Sequence, residues 1–345
     1  MSPSSTTVDT RYVALARHLR MGAVTPELFS IETKNVAEPT DGQLLLRPLT
    51  FSIDATMRGQ LTGKPGSYFL PQIPLGQAVT GIAVSEVLTS CHPDYQVGQR
   101  VVGLTEWAEV SLWPPCDNWL DLTTLDPRIR KPSHALGVFG LLGGLTAYTG
   151  MINAARVHKG ETVVVSAAAG NVGSLAGQIA KIRGAHVIGL AGTPEKRQLL
   201  TETLGFDTAL DYHDTDLSQH LRALAPNGPD LYFDCVGGTT SNTVMTVMHR
   251  PARVVVCGLI STYDDDTAWT VDITPIYANG LTLQGFTPNQ FLTALPDALD
   301  ELIRWVDTGR LVALETERHG IDALPAAITG LFRGENTGKM IVTLP

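Results

Sequence analysis

Residues 163–173 read VVVSAAAGNVG, a β-branched run that gives way to alanine and glycine just where a helical pattern, NVGSLAGQIAKIRG, begins. Three consecutive valines suit a strand buried on both faces, and the small residues after them leave room for something close to the backbone. Aligned as AxGxxG, the small positions are Ala168, Gly170 and Gly173. That spacing provides a tight turn after the strand, a backbone that a pyrophosphate can approach, and close packing of helix on strand. Asn171 and Val172 lie inside the turn, where the helix start offers free N–H groups and the positive end of its dipole. A helix merely packed on a sheet also uses small residues. The strand before, the helix after and the further strands beyond favour the dinucleotide site.

Those further strands are short apolar runs alternating with helical segments: ETVVVSA (161–167), AHVIGLAG (185–192), DTALDY (207–212), DLYFDCVG (230–237), RVVVCGLI (253–260) and LTLQGF (281–286). They predict a doubly wound parallel sheet of six strands. PDALDELIRWVDTGRL then has an amphipathic helix pattern ending at Gly309, and GENTGKMIVTLP reads as turn plus strand. Upstream the texture differs. DGQLLLRPLTFSI, GQAVTGIAVSEVL and QRVVGLTEWAEVSLW are strand-like and separated by Pro/Gly-rich turns such as GKPGSYFLPQIPLG. The expected fold is α/β, with a β-rich domain over 1–135 completed by 313–345, and a Rossmann-type cofactor domain over 136–312.

Which dinucleotide is bound follows from the end of the second strand, where an acid would accept hydrogen bonds from the ribose 2′-hydroxyl of NAD. Here the chain reads GLAGTPEK, with no acid at the strand tip. Thr193 suits an N-cap and Pro194 the first helical position, which puts Lys196 in the first turn. A cation there opposes the helix dipole by ~0.3–1 kcal/mol, a cost that an anion would offset. A 2′-phosphate supplies one, so NADP is favoured. The other reading is a solvated lysine beside Glu195.

Composition narrows the field. With 345 residues, 43% hydrophobic and 17% charged, the chain can bury two cores. Its 25 basic and 34 acidic side chains give 25 − 34 = −9, with no basic cluster, so nucleic acid and anionic membranes are not expected partners. Cys91, Cys116, Cys235 and Cys257 form no CxxC, and the nine histidines form no HxH or HxxxH pair, so no metal is expected. No stretch resembles a secretory leader or reaches the ~20 apolar residues of a membrane span, which points to the cytoplasm.

Several separated segments carry a resemblance: AAAGNVGSLAGQIAKIRGAHVIGLAGTPEK, LGFDTALDY, FDCVGG, CGLISTY, FRGENTGK, LGVFGLLGGLTAY and SIDATMRGQL. Together they resemble the zinc-independent branch of the medium-chain dehydrogenase/reductase superfamily, in particular its NADP-dependent alkenal (one double-bond) reductases. The resemblance implies a GroES-like β domain beside the cofactor domain, a homodimer, and a largely apolar small-molecule substrate. It also implies that Gly170 to Gly173 hold the pyrophosphate and that Lys196, with Thr193 and Tyr212, holds the 2′-phosphate. Cys235, Cys257, Gly258, Leu259, Ile260, Ser261, Thr262 and Tyr263 would line the nicotinamide half together with Phe286 and Thr287, and Asn336 would close over it. Taken singly, Tyr212 and Tyr263 also suit strand-end aromatics, and Asn336 an ordinary turn. Where zinc-dependent relatives carry Gly-His-Glu, this chain has LGQAVTG, with no histidine beside Gly76 and with Gln77 where the resembled branch usually has an acid.

A hydride enzyme without a metal acts best on an electrophile that spreads its charge, such as a carbon–carbon double bond conjugated to a carbonyl. Tyr263 is the expected catalytic donor to the developing enolate oxygen. The family's Asp-Pro-Tyr-Met-Arg is here Asp54, Ala55, Thr56, Met57 and Arg58, so Thr56 is shorter than the usual tyrosine by a ring. Thr56 and Arg58 are the expected substrate contacts, although Arg58 equally suits a structural pair. Cys235 stands where the family commonly has asparagine, and with Cys257 it is either an inert buried thiol or a reactive one. Three functions stay open: an enone reductase, a quinone or alcohol/carbonyl oxidoreductase, and a non-catalytic NADP-binding protein.

Overall fold

A computed structural model describes residues 7–63, 72–114, 121–263 and 268–345. Most of the GKPGSYFLPQIPLG turn and Cys116 lie outside the described residues. The chain divides into two compact units, Met1–Leu136 with Glu315–Pro345, and Gly137–Leu314.

The unit Gly137–Leu314 holds six parallel strands: β1 (Thr162–Val165), β2 (His186–Leu190), β3 (Thr208–Leu210), β4 (Leu231–Asp234), β5 (Arg253–Val256) and β6 (Thr282–Gly285). Their order across the sheet is β3-β2-β1-β4-β5-β6, the doubly wound order, which reverses direction between β1 and β4. Its α-helices of seven or more residues are α1 (Asn171–Ile182), α2 (Pro194–Glu202), α3 (Leu217–Leu224), α4 (Gly238–Met245), α5 (Ile273–Asn279) and α6 (Leu295–Asp307).

Period-two alternation explains how the sheet is covered. Val164, Ile188, Tyr232 and Val254 stand in register across four strands and form one core with Leu217 and Leu221 of α3 and Val244 and Met245 of α4. Their neighbours Val163, Val165, Val187 and Phe233 point the other way and are equally buried. Each strand is shorter than the apolar run that predicted it. SA, AG, CVG and CGLI lie past the last ladder residues and form turns at the strands' carboxyl ends, where ligands of open α/β sheets bind.

The other unit is β-rich. Its seven-stranded sheet runs Glu315–His319, Lys339–Thr343, Leu44–Ile53, Thr80–Ser90, Arg100–Glu106 and Thr123–Thr124, with Ser111–Trp113 paired to the start of Leu44–Ile53. All pairings are antiparallel except that of Glu315–His319 with Lys339–Thr343. Trp107, Phe51, Ile53, Met57 and Leu61 centre its core. A two-stranded ribbon, Val8–Leu15 with Phe29–Val36, was not among the expected strands. Among the described residues no helix is long and apolar enough to cross a membrane.

Candidate functional site

The turn after β1 is built from backbone. Gly170 N donates to Ala167 O (2.9 Å) and Ala168 N to Leu190 O (3.1 Å), which fixes the turn against the end of β2. Ala167 is left-handed at φ +46°, a strained setting for a residue with a Cβ. A Cβ on Gly173 would strike the Ala167 carbonyl, so only glycine lets α1 rest directly on the turn. Gly170 is the N-cap of α1 and no side chain caps that end, so the first N–H groups are left for a ligand. Asn171 Nδ2 donates instead to Leu142 O (3.3 Å), and half-buried Val172 follows it. A bare helix end above a glycine cradle fits the diphosphate of a dinucleotide.

A second corner forms at the end of β2. Thr193 caps α2 through its side chain, which accepts from Lys196 N at 3.3 Å. The Tyr212 ring lies over Gly192, where an added Cβ would sit 3.0 Å from the phenol oxygen. It also stacks on His213 at 4.1 Å. Arg197 ties the ends of β2 and β3 together, donating to Ala191 O (3.2 Å) and Asp211 (2.8 Å). Lys196 is half-buried, and burial lowers its ammonium below the ordinary lysine value. A phosphate at this corner would favour the charged form of that ammonium. Thr193, Lys196 and Tyr212 therefore share one place, and their chemistry suits a phosphate.

The third part lies at the ends of β4 and β5, beside the topological switch. Asp234 is fully buried and accepts from Ser166 Oγ (3.1 Å), Tyr232 Oη (3.0 Å), Val236 N (2.9 Å), Gly237 N (3.0 Å) and Ser241 Oγ. Burial, with Asp234 beside it, holds the Tyr232 phenol well above its ordinary value, so Tyr232 stays a donor. Ser166 Oγ in turn accepts from Cys235 N (2.9 Å). From the next strand, Cys257 N (2.7 Å) and Gly258 N (3.1 Å) donate to the Asp234 carbonyl, and Ser261 N (3.1 Å) donates to the Val236 carbonyl. Ile260–Thr262 make one 3₁₀ turn, with Thr262 Oγ1 on Leu259 O (2.8 Å), and Tyr263 follows. Leu259 and Ile260 are exposed large apolar side chains. Segment 257–263 is thus pinned to the turn after β4, with an apolar outer surface and Tyr263 at its end.

The remaining expected residues divide by environment. Phe286 is buried against Phe233 and Gly150, so its ring belongs to the core. Thr287 starts the next turn and its N–H donates to Gln290 Oε1 at 3.4 Å. In the β-rich unit, Asn336 is buried and Nδ2 donates to Gly338 O (2.8 Å), the turn role. Arg58 is buried and donates to Gly22 O (2.7 Å), which is a structural contact. Thr56 Oγ1 is buried without a hydrogen-bond partner among the described residues. Nearby Asp54, Ser52 and the fully buried Lys339 form a hydrogen-bonded ion-pair cluster joining SIDATMRGQL to the TGK strand.

Sequence reasoning missed Asp234, Ser166, Arg197 and the Lys339–Asp54 pair. An acid closing an apolar strand in FDCVGG is the one signal that could have found Asp234, because such a carboxylate must be satisfied internally.

The amino-terminal region matches the family model described as "N-terminal domain of oxidoreductase" over residues 11–118, and residues 171–308 match "Zinc-binding dehydrogenase". Among the described residues no group of three or more His, Cys, Asp or Glu stands together as metal ligands would. The chain is 35% identical to the NADPH-dependent curcumin reductase of Escherichia coli, over 93% of each. It is also 35% identical to the NADP⁺-dependent 2-alkenal reductase of Nicotiana tabacum, over 92% of this chain and 93% of that one. The crystal structure of CurA from Vibrio vulnificus in complex with NADPH superposes with a TM-score of 0.88 at 31% identity, over 97% of this chain and 99% of that one.

Proposed function

We propose, for a chain that belongs to the NADP-dependent alkenal-reductase branch of the zinc-independent medium-chain dehydrogenase/reductases, that it reduces the carbon–carbon double bond of an α,β-unsaturated ketone or aldehyde with NADPH. One observation carries this reading. Relatives of equal identity along nearly the whole chain are named for curcumin and for 2-alkenals, and those substrates share a double bond conjugated to a carbonyl.

When bound, NADPH supplies the hydride that reaches the β carbon. The chain's own groups bind and orient. Gly170 to Gly173 receive the pyrophosphate on free N–H groups. Thr193, Lys196 and Tyr212 hold the 2′-phosphate and so select NADPH over NADH. Cys235, Cys257 to Tyr263 and Thr287 border the nicotinamide half, with Phe286 supporting from the core. The Tyr263 hydroxyl donates to the carbonyl oxygen as negative charge develops there, a contact that matters most in a dry site. Thr56, which stands where the family has a tyrosine, is the substrate contact, and Arg58 shapes the segment that carries it. Two chains pair through the β6 edge and α5, where Ile273 and Tyr277 are 70% and 88% exposed.

The test is purified protein with NADPH and a panel of enals, enones, quinones and saturated carbonyls, with product identification. Saturated ketones and aldehydes from the enones support the proposal. A hydroquinone or alcohol as sole product replaces it with the quinone or carbonyl reading, and NADPH binding without turnover replaces it with a non-catalytic one. In the same assay Tyr263→Phe is expected to lower kcat/KM for enones by roughly 10–100-fold, the scale of a lost donor to a charged oxygen. Unchanged kcat/KM for every enone removes Tyr263 from the chemistry.

A further inference from the structure

Cys235 and Cys257 each stand one position past the last register pair of two neighbouring parallel strands, Asp234 with Val256. Residues in register send their side chains to the same face. Extending that register by one residue sets Cys235 beside Cys257 with their side chains on the same face. The backbones around them are held together as well: Cys257 N and Gly258 N donate to Asp234 O, and Ser261 N to Val236 O. A Cβ on Gly258 would lie 3.1 Å from the Cys235 carbonyl. Neighbouring strands lie ~4.8 Å apart, within the ~4.4–6.8 Å between Cα atoms that a disulfide spans. Both cysteines are unbridged and neither is fully buried, so a small oxidant can reach them.

We propose that Cys235 and Cys257 are a dithiol that a hydroperoxide oxidises to a disulfide, closing the ends of β4 and β5 onto each other. The Cys257 thiolate attacks the peroxide's terminal oxygen, the O–O bond breaks, and the hydroperoxide leaves as an alcohol, or as water from hydrogen peroxide. The Cys235 sulfur then attacks the Cys257 sulfenic acid, forming the S–S bond and releasing water. Two thiols lose two protons and two electrons while one peroxide is reduced. The neighbouring Cys257 side chain, with burial, keeps Cys235 well above the ordinary thiol value, which suits the resolving rather than the attacking role. Bridging pulls segment 257–263 toward the β4 turn. That the bridge weakens NADPH binding rests on the proposed function, because there this segment borders the nicotinamide.

The experiment treats the full chain with hydrogen peroxide, digests it without reductant and maps the cysteine peptides by mass spectrometry. NADPH titrations are run on the reduced, oxidised and dithiothreitol-recovered protein. The expected result is a Cys235–Cys257 cross-linked peptide that dithiothreitol removes and that is absent from C235S and C257S. The matching loss of NADPH affinity is roughly 10-fold, the scale of about one contact, and is reversible. If C235S does not fold, C235N, which installs the asparagine common in the family, serves instead. Free thiols, sulfinic acid, or pairing with Cys91 or Cys116 overturns the proposal. A bridge that forms with unchanged NADPH affinity overturns its consequence for binding. Reduced protein that ignores NADPH overturns the cofactor reading, while the peptide map still decides the bridge.

Discussion

At the scale of single residues, the proposed function places the 2′-phosphate of NADPH on Lys196. This half-buried lysine lies on the first turn of α2, its backbone N–H on the Thr193 cap, and the Tyr212 ring lies over Gly192 just before that cap. Charge-assisted hydrogen bonds contribute about 1.5–3 kcal/mol, so Lys196→Met should raise the Kd for NADPH roughly 10–100-fold and leave the Kd for NADH nearly unchanged. Parallel titrations with both nucleotides check this, and equal losses for the two would remove the lysine from the 2′-phosphate. The sequence raised that expectation because GLAGTPEK lacks the acid of NAD sites and supplies a cation one turn later. Asp234 was not legible in it. Its partners Ser166, Tyr232 and Ser241 come from β4 itself and from two other segments that only the sheet brings together.

At the scale of elements, the six strands were legible because each is a short apolar run between helical patterns, and their turns were read as strand because composition alone does not mark where a ladder ends. Val8–Leu15 and Phe29–Val36 escaped notice because their outer faces are charged and their pairing is local to the β-rich unit. Contacts between helices were also beyond sequence. Tyr148, on the short helix Gly144–Tyr148, donates to Glu301 of α6 at 2.9 Å, and Arg183 just past α1 pairs with the same carboxylate. Burial, then the Glu301 contact, pushes the Tyr148 phenol up to about 12. An unfolded tyrosine titrates near ~10, so above that pH the unfolded chain has lost a proton that the native chain retains. Stability from this phenol is therefore complete below pH ~10 and is lost as pH rises toward ~12. Melting temperatures measured across that window should fall more steeply for the wild type than for Tyr148→Phe, and parallel curves would contradict the assignment.

At the scale of the whole molecule, the change of texture along the chain made a β-rich part and a doubly wound part legible, and the parallel order β3-β2-β1-β4-β5-β6 places the turns after β1, β2, β4 and β5 at the strands' carboxyl ends. The β6 edge carries the assembly prediction. Ile273 and Tyr277, on the helix that leads into β6, expose large apolar surface, and among the described residues β6 pairs only with β5, an arrangement that a second copy would cover. Light scattering should give a dimer for the native chain and the mass of one chain for a Tyr277→Asp, Ile273→Asp double variant. A native monomer would sink the pairing. The central claim is a hydride delivered from NADPH to the β carbon of an enone, and isotope tracing reaches it most directly. NADPH deuterated on the transferred face should place deuterium on the β carbon of the saturated ketone, read by NMR. Deuterium on the carbonyl carbon of an alcohol, or none in the product, would contradict it.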